Sequence, residues 1–416
     1  MKHVIIGNGP AGVVAAETLR KTDPAATITL IGDEAEPPYS RMALPYLMMG
    51  DIGEAGTYLR KGRDHYAGLG IELLHDRVKS IDTAARTVAC ASGKSLAYDR
   101  LLIATGSHPI KPQIPGIDLP GVHACWTMED ARRIITGTSA GSRVLQVGAG
   151  FIGCIIMEAL VSRKVRLTVV EMGDRMVPRM MTPAAGTMIR TWCEGKGVRV
   201  HVGARVATIR TGAAGGALVA KLASGEELEA DLIIVAAGVR PNIDFLQGSG
   251  VACDVGVPVD ATMQTNVPGV YAAGDVAEAL DFSTGGRGIN AIQPSAVEQA
   301  RVAAFNMAGR RVESRGNLQL NVLDTLGLIS SSFGMWGGAP GGQTAELIDQ
   351  HQSRYLSLQF EGDVLIGATA IGLTEHVGVL RGLIESRVHL GPWKDRLLQE
   401  PLLIMEAYLA RTQAAA

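Results

Sequence analysis

Two glycine-rich segments contain the residues best suited to chemistry in this chain. Each follows a short apolar run and has the pattern Gly-x-Gly-x-x-Gly, with Gly7, Gly9 and Gly12 in the first and Gly148, Gly150 and Gly153 in the second. In this pattern the first glycine permits a tight turn, the second lets the backbone approach a pyrophosphate, and the third lets a helix pack on a strand. The positive end of the helix then faces the phosphates. The sequence therefore predicts two bound dinucleotides.

An acidic residue is expected about 20 residues after such a segment, where its carboxylate accepts hydrogen bonds from ribose hydroxyls. Glu171 holds this place in the second segment. Its charge would repel a 2′-phosphate, which favours NAD over NADP, although Arg175 nearby weakens this preference. In the first segment the residue directly after the second strand is Gly32, so Asp33 or Glu34 must reach the ribose, and the spacing favours Glu34.

The bulk composition limits the class of protein. A chain of 416 residues suits two or three domains, and its 51 glycines lie at strand ends, as in an α/β protein with many tight turns. The net charge of -2 provides no basic field for nucleic acid, so we expect no nucleic-acid partner. The apolar stretches are strand-sized or interrupted by charge, so we expect no membrane insertion. The first glycine segment starts close to residue 3 and leaves no room for a signal peptide, so we expect a cytoplasmic location.

The sequence provides no metal site. The five cysteines are scattered without a CxxC pair and cannot ligate an iron–sulfur centre by a familiar spacing. We interpret them as small buried hydrophobic residues in a reducing compartment. His65, His75 and His201 have no partner at metal-ligand spacing.

The order of strands and helices indicates that one domain is inserted in another. A strand at 4–6, a helix at 11–21 and a strand at 27–31 are followed by an apolar run at 98–107, and residues 110–239 repeat this logic. A further strand and a helix beginning near Pro294 return the chain to the first domain. The predicted domains are 1–109 with 242–310, then 110–241, and finally 311–416.

The third domain is predicted to be α+β. Residues Tyr355 to Ile371 are typical of a hairpin with its turn at Glu361 to Asp363, and helices are predicted over 374–386 and 392–411. Trp336 looks exposed, and the glycine-rich stretch around it at 334–342 could be an interface loop or simply a mobile one.

Six motifs in a fixed order connect the chain to a known family: GNGPAG, PPYSR, ATGSHP, GAGFIG, AAGVRPN and VYAAGDVAE. Together they resemble the flavoproteins with two dinucleotide domains, namely the pyridine-nucleotide disulfide oxidoreductases and their relatives that reduce ferredoxin, rubredoxin or nitrite reductase centres. The resemblance implies an α/β fold of two Rossmann-like domains, with the NAD domain inserted in the FAD domain, and a C-terminal α+β interface domain. It implies the cofactors FAD and NAD(H).

The resemblance also assigns site residues. For FAD they are Gly7, Gly9, Pro10, Ala11, Gly12, Asp33, Glu34, Tyr39, Arg41, Ala104, Thr105, Gly106, Gly274, Asp275 and Pro294. For NAD they are Gly148, Gly150, Phe151, Ile152, Gly153, Glu171 and Gly238. Asp275 would accept hydrogen bonds from the flavin ribityl chain, and the helix near Pro294 would direct its positive end at the flavin pyrimidine. No side chain is assigned a catalytic role, because hydride and electron transfer belong to FAD.

Two departures from the family pattern affect the expected chemistry. Met42 stands where the single-cysteine relatives have their redox thiol, and no cysteine occurs in the first 89 residues. A thioether cannot form a disulfide, so a direct route from flavin to acceptor is favoured. Ile155 replaces a glutamate found in many relatives. Glu158 could lie on the same helix face, or it could be an ordinary exposed helix residue.

The second glycine segment and the strand after it also resemble the flavin subunit of multi-subunit 2-oxoacid oxidoreductases. The resemblance implies that the chain takes electrons from iron–sulfur protein subunits and passes them to NAD as hydride. A stand-alone reductase of a small redox carrier such as rubredoxin or ferredoxin, a nitrite-reductase-type reductase or an NADH oxidase is an alternative. A non-catalytic nucleotide-sensing or assembly module is another.

Overall fold

The computed structural model describes residues 1–213 and 216–412. The backbone forms two compact units. The first contains Met1–His108 and Val239–Asn317, and the second contains Pro109–Gly238 and the chain from Leu318 onward.

The strands are β1 Lys2–Ile6, β2 Thr27–Gly32, β3 Ile71–His75, β4 Val78–Asp82, β5 Thr87–Cys90, β6 Ser95–Ala97, β7 Arg100–Ile103, β8 Ser107–Pro109, β9 Val122–His123, β10 Arg143–Val147, β11 Arg166–Val170, β12 Arg199–His201, β13 Val206–Thr211, β14 Leu218–Leu222, β15 Glu227–Ala230, β16 Leu232–Val235, β17 Val239–Pro241, β18 Val257–Pro258, β19 Val270–Ala272, β20 Ala277–Leu280, β21 Arg287–Gly288, β22 Leu320–Thr325, β23 Leu328–Gly334, β24 Gln343–Asp349, β25 Arg354–Glu361 and β26 Val364–Ile371.

The α-helices are α1 Pro10–Thr22, α2 Leu44–Met49, α3 Glu54–Thr57, α4 His65–Gly68, α5 Met128–Gly137, α6 Phe151–Ser162, α7 Pro183–Gly195, α8 Gln293–Met307, α9 Val377–Ser386, α10 Pro392–Gln399 and α11 Ile404–Thr412. Short 3₁₀ turns cover Arg41–Ala43 and Asp244–Leu246.

The first unit is built on a parallel sheet in the order β19-β7-β1-β2-β3. Its central strand β1 is almost continuously apolar and buried, and its core cluster contains residues of α1 and α8 together with Ile81 and Val88 of strands β4 and β5. Helices α1 and α8 pack against each other beside this sheet. Strand β19 pairs with β7 although more than 160 residues separate them in the chain, so the chain returns to this sheet after the second dinucleotide segment.

The second unit contains a sheet with the same design, in the order β12-β11-β10-β16-β9. In both sheets the strand before the glycine segment pairs in parallel with the next strand on one side and with a later strand on the other. Val4 lies opposite Thr29 and Leu101, and Val144 lies opposite Leu167 and Leu232. The internal repeat in the sequence therefore corresponds to the same pattern of strand pairing in the two sheets.

The C-terminal residues of the second unit form a five-stranded antiparallel sheet, β22-β23-β26-β25-β24. The predicted hairpin is its β25–β26 pair, with the turn at Gly362–Asp363. The helix predicted over 392–411 is wrong as a single element, because it is divided into α10 and α11 around Pro401, which cannot continue a helix. Trp336 is half-buried and not exposed as expected.

The fold class predicted from the sequence is confirmed: two Rossmann-like domains, one inserted in the other, and a C-terminal α+β domain. The three domain boundaries stay predictions. Within residues 1–213 and 216–412, no helix combines the length and the apolar character needed to cross a membrane.

Candidate dinucleotide sites

The two glycine loops, residues 7–12 and 148–153, have nearly the same backbone. Gly7 and Gly148 have φ angles of 109° and 106°, which only glycine adopts without strain. A Cβ at Gly7 would overlap the carbonyl oxygen of Ala104, and a Cβ at Gly148 would overlap that of Ala236. The first glycine of each loop is therefore needed both for its φ angle and for the closeness of the neighbouring strand.

The second and third glycines differ in what surrounds them. A Cβ at Gly12 or Gly153 would overlap the backbone of its own loop, so these residues let the helix start close to the strand. A Cβ at Gly9 or Gly150 would meet no described atom within 4 Å, so each loop has an open side at its middle glycine. This is the side from which a pyrophosphate would approach.

The helices that follow the glycine loops are suited to phosphate binding. Helices α1 and α6 begin after Gly9 and Gly150 and have no side-chain cap, with Pro10, Ala11, Phe151 and Ile152 in their first turns. Helices α5 and α7 are capped by the hydroxyls of Thr127 and Thr182, whereas α8 is uncapped like α1 and α6. Since uncapped backbone N–H groups at a helix start attract anions, the residues present fit the two dinucleotides.

Glu171 is tied to the second glycine loop. Its Oε2 accepts a hydrogen bond from the backbone N–H of Ala149 at 2.6 Å, and its Oε1 accepts one from Gly173 at 2.7 Å. The carboxylate predicted to bind the ribose is thus fixed at the carboxyl end of β11, beside the loop.

The first unit differs at this place. Gly32 occupies the position of Glu171, and a Cβ there would overlap the side-chain amide of Asn8, which is the counterpart of Ala149. Glu34 lies two residues further along the chain. Its two carboxylate oxygens accept hydrogen bonds from the Tyr39 hydroxyl at 2.6 Å and from the Arg41 guanidinium at 2.7 Å.

The alternative acid, Asp33, is exposed in the turn after β2. Glu34, Tyr39 and Arg41 form one cluster within the first unit, and Asp33 is not part of its hydrogen bonds. The structure therefore brings three of the predicted FAD residues together and leaves the fourth at the surface.

Gly274 and Asp275 follow the end of β19. A Cβ at Gly274 would lie 3.3 Å from the Cβ of Ala11 in α1 and 3.6 Å from that of Ala296 in α8, so the loop passes between the starts of both helices. The backbone N–H of Gly274 donates to Gln299 Oε1 at 2.9 Å, and Gln299 Nε2 donates to Asn317 Oδ1 at 2.8 Å.

Burial raises the pKa of the Asp275 carboxyl, while a hydrogen bond from Ser107 and the positive charge of Arg41 act in the opposite direction. The carboxylate is therefore recessed and supported by two groups of the same unit.

Helix α8 begins at Gln293, and Pro294 lies in its first turn. The side chain of Gln293 accepts a hydrogen bond from the Ser40 hydroxyl at 2.8 Å. This bond connects the PPYSR segment to the start of α8, so the two parts of the sequence assigned to the flavin are adjacent.

The remaining predicted residues lie after strands β7 and β16. The backbone N–H of Ala104 donates to the Ile6 carbonyl at 2.8 Å. The Ala104 carbonyl lies where a Cβ at Gly7 would be. Thr105 and Gly106 are both held by Asn242, whose amide donates to the Thr105 carbonyl at 2.8 Å and whose backbone N–H donates to Gly106 at 3.0 Å. Gly238, with a φ of 106°, lies two residues beyond Ala236.

The thiols of the chain are poorly suited to redox chemistry. Cys90, Cys125, Cys154 and Cys193 are buried and Cys253 is exposed, so the interpretation as buried residues fits four of the five. Burial raises the pKa of Cys125 and of Cys193 to about 12, which keeps both protonated at neutral pH. Met42, at the position expected for a thiol, is 48% exposed.

Glu158 makes a contact that the sequence did not predict. Its Oε2 accepts a hydrogen bond from the backbone N–H of Leu326 at 2.7 Å, and the indole N–H of Trp192 donates to the Leu326 carbonyl at 3.1 Å. Leu326 lies in the tight turn between β22 and β23. Glu158 therefore connects α6 to the C-terminal sheet and is half-buried, so it is not the exposed helix residue of the second interpretation.

Arg175 is engaged inside its own loop. Its guanidinium donates to the carbonyls of Met181 at 2.9 Å and Pro178 at 3.1 Å, and it pairs with Asp174 at 2.7 Å. These bonds hold its charge within the loop.

Sequence analysis missed four residues that support these sites: Asn8, Ser107, Asn242 and Gln299. Asn242 stands in the AAGVRPN motif and Asn8 in GNGPAG, so their positions could have been noted. Ser107 likewise stands in the ATGSHP motif, but its contact with Asp275 and the contacts of Gln299 depend on folding and could not be predicted from spacing.

Two Rossmann-like folds, each with an uncapped helix after a glycine loop, define a protein that binds two dinucleotides. Residues 1–305 match the family model described as pyridine nucleotide-disulphide oxidoreductase. The chain belongs to this family and is an FAD-containing, NAD-dependent oxidoreductase.

Two relatives and one solved structure are similar to the chain over most of its length. The chain is 33% identical over 415 residues to the NADH-dependent phenylglyoxylate dehydrogenase subunit epsilon of Aromatoleum evansii. This match covers 99% of this chain and 98% of the subunit. It is 34% identical to the ferredoxin–NAD(+) reductase component of the biphenyl dioxygenase system of Paraburkholderia xenovorans, over 74% of this chain and 75% of that one. The putidaredoxin reductase–putidaredoxin complex has the same fold, with a TM-score of 0.90, 24% identity and 99% coverage of both chains.

Proposed function

We propose that this protein transfers electrons between an iron–sulfur protein and NAD, as the NAD-reducing subunit of a 2-oxoacid dehydrogenase complex of the phenylglyoxylate type. The observation that supports this most is the match to the epsilon subunit along almost the whole chain. The matched reductase component of the biphenyl dioxygenase system extends over only 74% of the chain.

We assign FAD to the first unit. The glycine loop with Gly7, Gly9 and Gly12 and the start of α1 would bind its pyrophosphate, and Glu34 would reach the adenosine ribose. Tyr39 and Arg41 hold Glu34 in place, and Asp275 would accept a hydrogen bond from the ribityl chain. The start of α8 at Pro294 would face the flavin ring.

We assign NAD(H) to the second unit, where the loop at Gly148, Gly150 and Gly153 would bind the pyrophosphate. Glu171 would accept hydrogen bonds from the ribose hydroxyls, and its negative charge disfavours a 2′-phosphate. The internal bonds of Arg175 support the same choice, because they occupy the nearby cation.

In this proposal, electron transfer between NAD(H) and the iron–sulfur protein does not pass through a protein thiol. Bound FAD exchanges hydride with NAD(H) and single electrons with an iron–sulfur centre. The Met42 thioether cannot form a disulfide, and burial keeps the thiols of Cys125 and Cys193 protonated. The protein itself would bind, orient and shield the two cofactors, and no side chain would transfer a proton.

Native purification from the source organism tests membership in a complex. Size exclusion followed by mass spectrometry of the co-migrating proteins should identify iron–sulfur and thiamine-binding subunits at constant stoichiometry. Migration of the protein alone, as a monomer or homodimer at native concentration, would contradict this proposal.

A stand-alone carrier reductase is the second candidate, supported by the identity to the ferredoxin reductase component. It predicts that the isolated protein rapidly reduces an added rubredoxin or ferredoxin with NADH. The subunit proposal predicts slow reduction of both carriers and rapid exchange only with the co-purified partner.

A further inference from the structure

Ser107 forms a hydrogen bond with the proposed flavin ligand of the first unit. Its side chain lies directly after the small residues Thr105 and Gly106, at the start of β8, and is only 6% exposed. The hydroxyl donates to Oδ2 of Asp275 at 2.7 Å, although the two residues are 168 positions apart in the chain. Neither the glycine pattern nor the acidic motif of the sequence indicates this pair.

The backbone that presents Ser107 is held on both sides. Asn242 donates from its amide to the Thr105 carbonyl at 2.8 Å and from its backbone to Gly106 at 3.0 Å, and the Thr105 hydroxyl donates back to the Asn242 carbonyl at 2.9 Å. Three hydrogen bonds therefore fix the two residues that precede Ser107. A hydroxyl fixed in this way can orient a carboxylate with little loss of conformational entropy.

The partner of this hydroxyl is a recessed acid. Burial raises the pKa of Asp275, and the hydrogen bond from Ser107 is the largest effect that lowers it. The charge of Arg41 adds a smaller lowering effect. Without the hydroxyl, the Asp275 carboxylate would be harder to keep charged and less fixed in orientation.

We propose that Ser107 is a positioning residue for FAD binding: its hydroxyl orients the Asp275 carboxylate, so that Asp275 can accept a hydrogen bond from the ribityl chain. This inference rests on the assignment of Asp275 to the flavin. Because a hydrogen bond to a charged group is involved, removing the hydroxyl should weaken FAD binding about tenfold at neutral pH.

The pH dependence gives a readout that a merely structural role would not produce. In Ser107→Ala the carboxyl of Asp275 should take up a proton at a higher pH than in the parent protein, so FAD affinity should begin to fall at a higher pH. Ser107→Thr keeps a hydroxyl at the same position and should restore both the affinity and the pH profile.

The experiment uses full-length apoprotein reconstituted with FAD, with dissociation constants measured by flavin fluorescence across a pH series. Ser92→Ala is the matched control, because the Ser92 hydroxyl also donates to a carboxylate, that of Asp76, at an exposed turn of the same unit. It should leave FAD affinity unchanged. Thermal melting of each apoprotein shows whether the variant is folded.

Two further outcomes separate this inference from the proposal on which it rests. If Asp275→Asn leaves FAD affinity unchanged, the assignment of Asp275 to the flavin is wrong, and this inference fails with it. If Asp275→Asn weakens FAD binding but folded Ser107→Ala has the parent's affinity and pH profile, only the role of Ser107 is overturned.

Discussion

The carboxylate of Glu171 accepts a hydrogen bond from the backbone N–H of Ala149 at 2.6 Å, and the first unit replaces this pair with Gly32 and the side chain of Asn8. The two units share strand register and glycine geometry, yet the acids that we propose for the ribose stand at different places. In the second unit the acid directly follows the strand, whereas in the first it is Glu34, two residues later. In its present position, the side-chain amide of Asn8 occupies the space that a Cβ at position 32 would take.

The effect of having Gly32 and Asn8 in place of Glu171 and Ala149 can be tested with variants that give the first unit the residue types of the second. Gly32→Glu alone should lower the melting temperature and the FAD content, because its Cβ would overlap the Asn8 amide. The double variant Asn8→Ala, Gly32→Glu removes the obstacle and should recover most of both. Equal loss in the single and double variants would show that Asn8 is not the obstacle.

Glu171→Ala should raise the KM for NADH roughly tenfold, because a hydrogen bond to a charged group contributes about 1.5–3 kcal/mol. The FAD content should not change, since Glu171 belongs to the second unit. Steady-state kinetics with saturating acceptor measures the effect. Glu194→Gln is the control, because it alters an exposed acid paired with Arg190 on α7. A KM for NADH that Glu171→Ala leaves at the parent value would remove Glu171 from the proposed site.

The bond between Glu158 and Leu326 should contribute to stability. Glu158→Ala leaves the N–H of Leu326 without its acceptor, which should cost about 1–3 kcal/mol and lower the melting temperature by several degrees. Glu158→Gln keeps an oxygen acceptor and should lose less. If both variants melt at the same temperature as the parent, the bond does not stabilise the connection between α6 and the C-terminal sheet.

The burial of His3 predicts that the folded protein loses stability in mild acid. Its fully buried ring lies 3.2 Å from Asp23, and burial is the largest effect that lowers its pKa below the ordinary value of 6.5. Since the folded protein then binds the proton less tightly than the unfolded chain, the stabilising contribution is complete above pH 6.5. It is lost as the pH falls below 6.5 towards the folded-state pKa.

His3→Leu cannot take up a proton, so its free energy of unfolding should change less with pH over this window than that of the parent. Denaturant unfolding at several pH values measures the slope. His351→Gln, at an exposed position, should keep the parent's slope. An unchanged slope in His3→Leu would assign the acid sensitivity to other groups.

Much of the architecture could be predicted because its signals are local. The spacing of Gly7, Gly9 and Gly12 and the apolar run before them specify strand, turn and helix within about ten residues. The break at Pro401 was missed, although proline is itself a local signal. The bond between Ser107 and Asp275, and the role of Glu158, depend on residues brought together by folding. Contacts of this kind leave no spacing pattern in the sequence.

The most direct test of the thiol-free route is an anaerobic titration of the purified flavoprotein with NADH, followed by flavin absorbance. A thiol-free protein should lose the oxidised flavin spectrum completely at a single equivalent of NADH per bound FAD, because the flavin stores one electron pair and no protein thiol stores another. Met42→Ala should give the same end point. Consumption of a second equivalent before the spectrum is lost would reveal another two-electron store in the protein and would contradict the direct route.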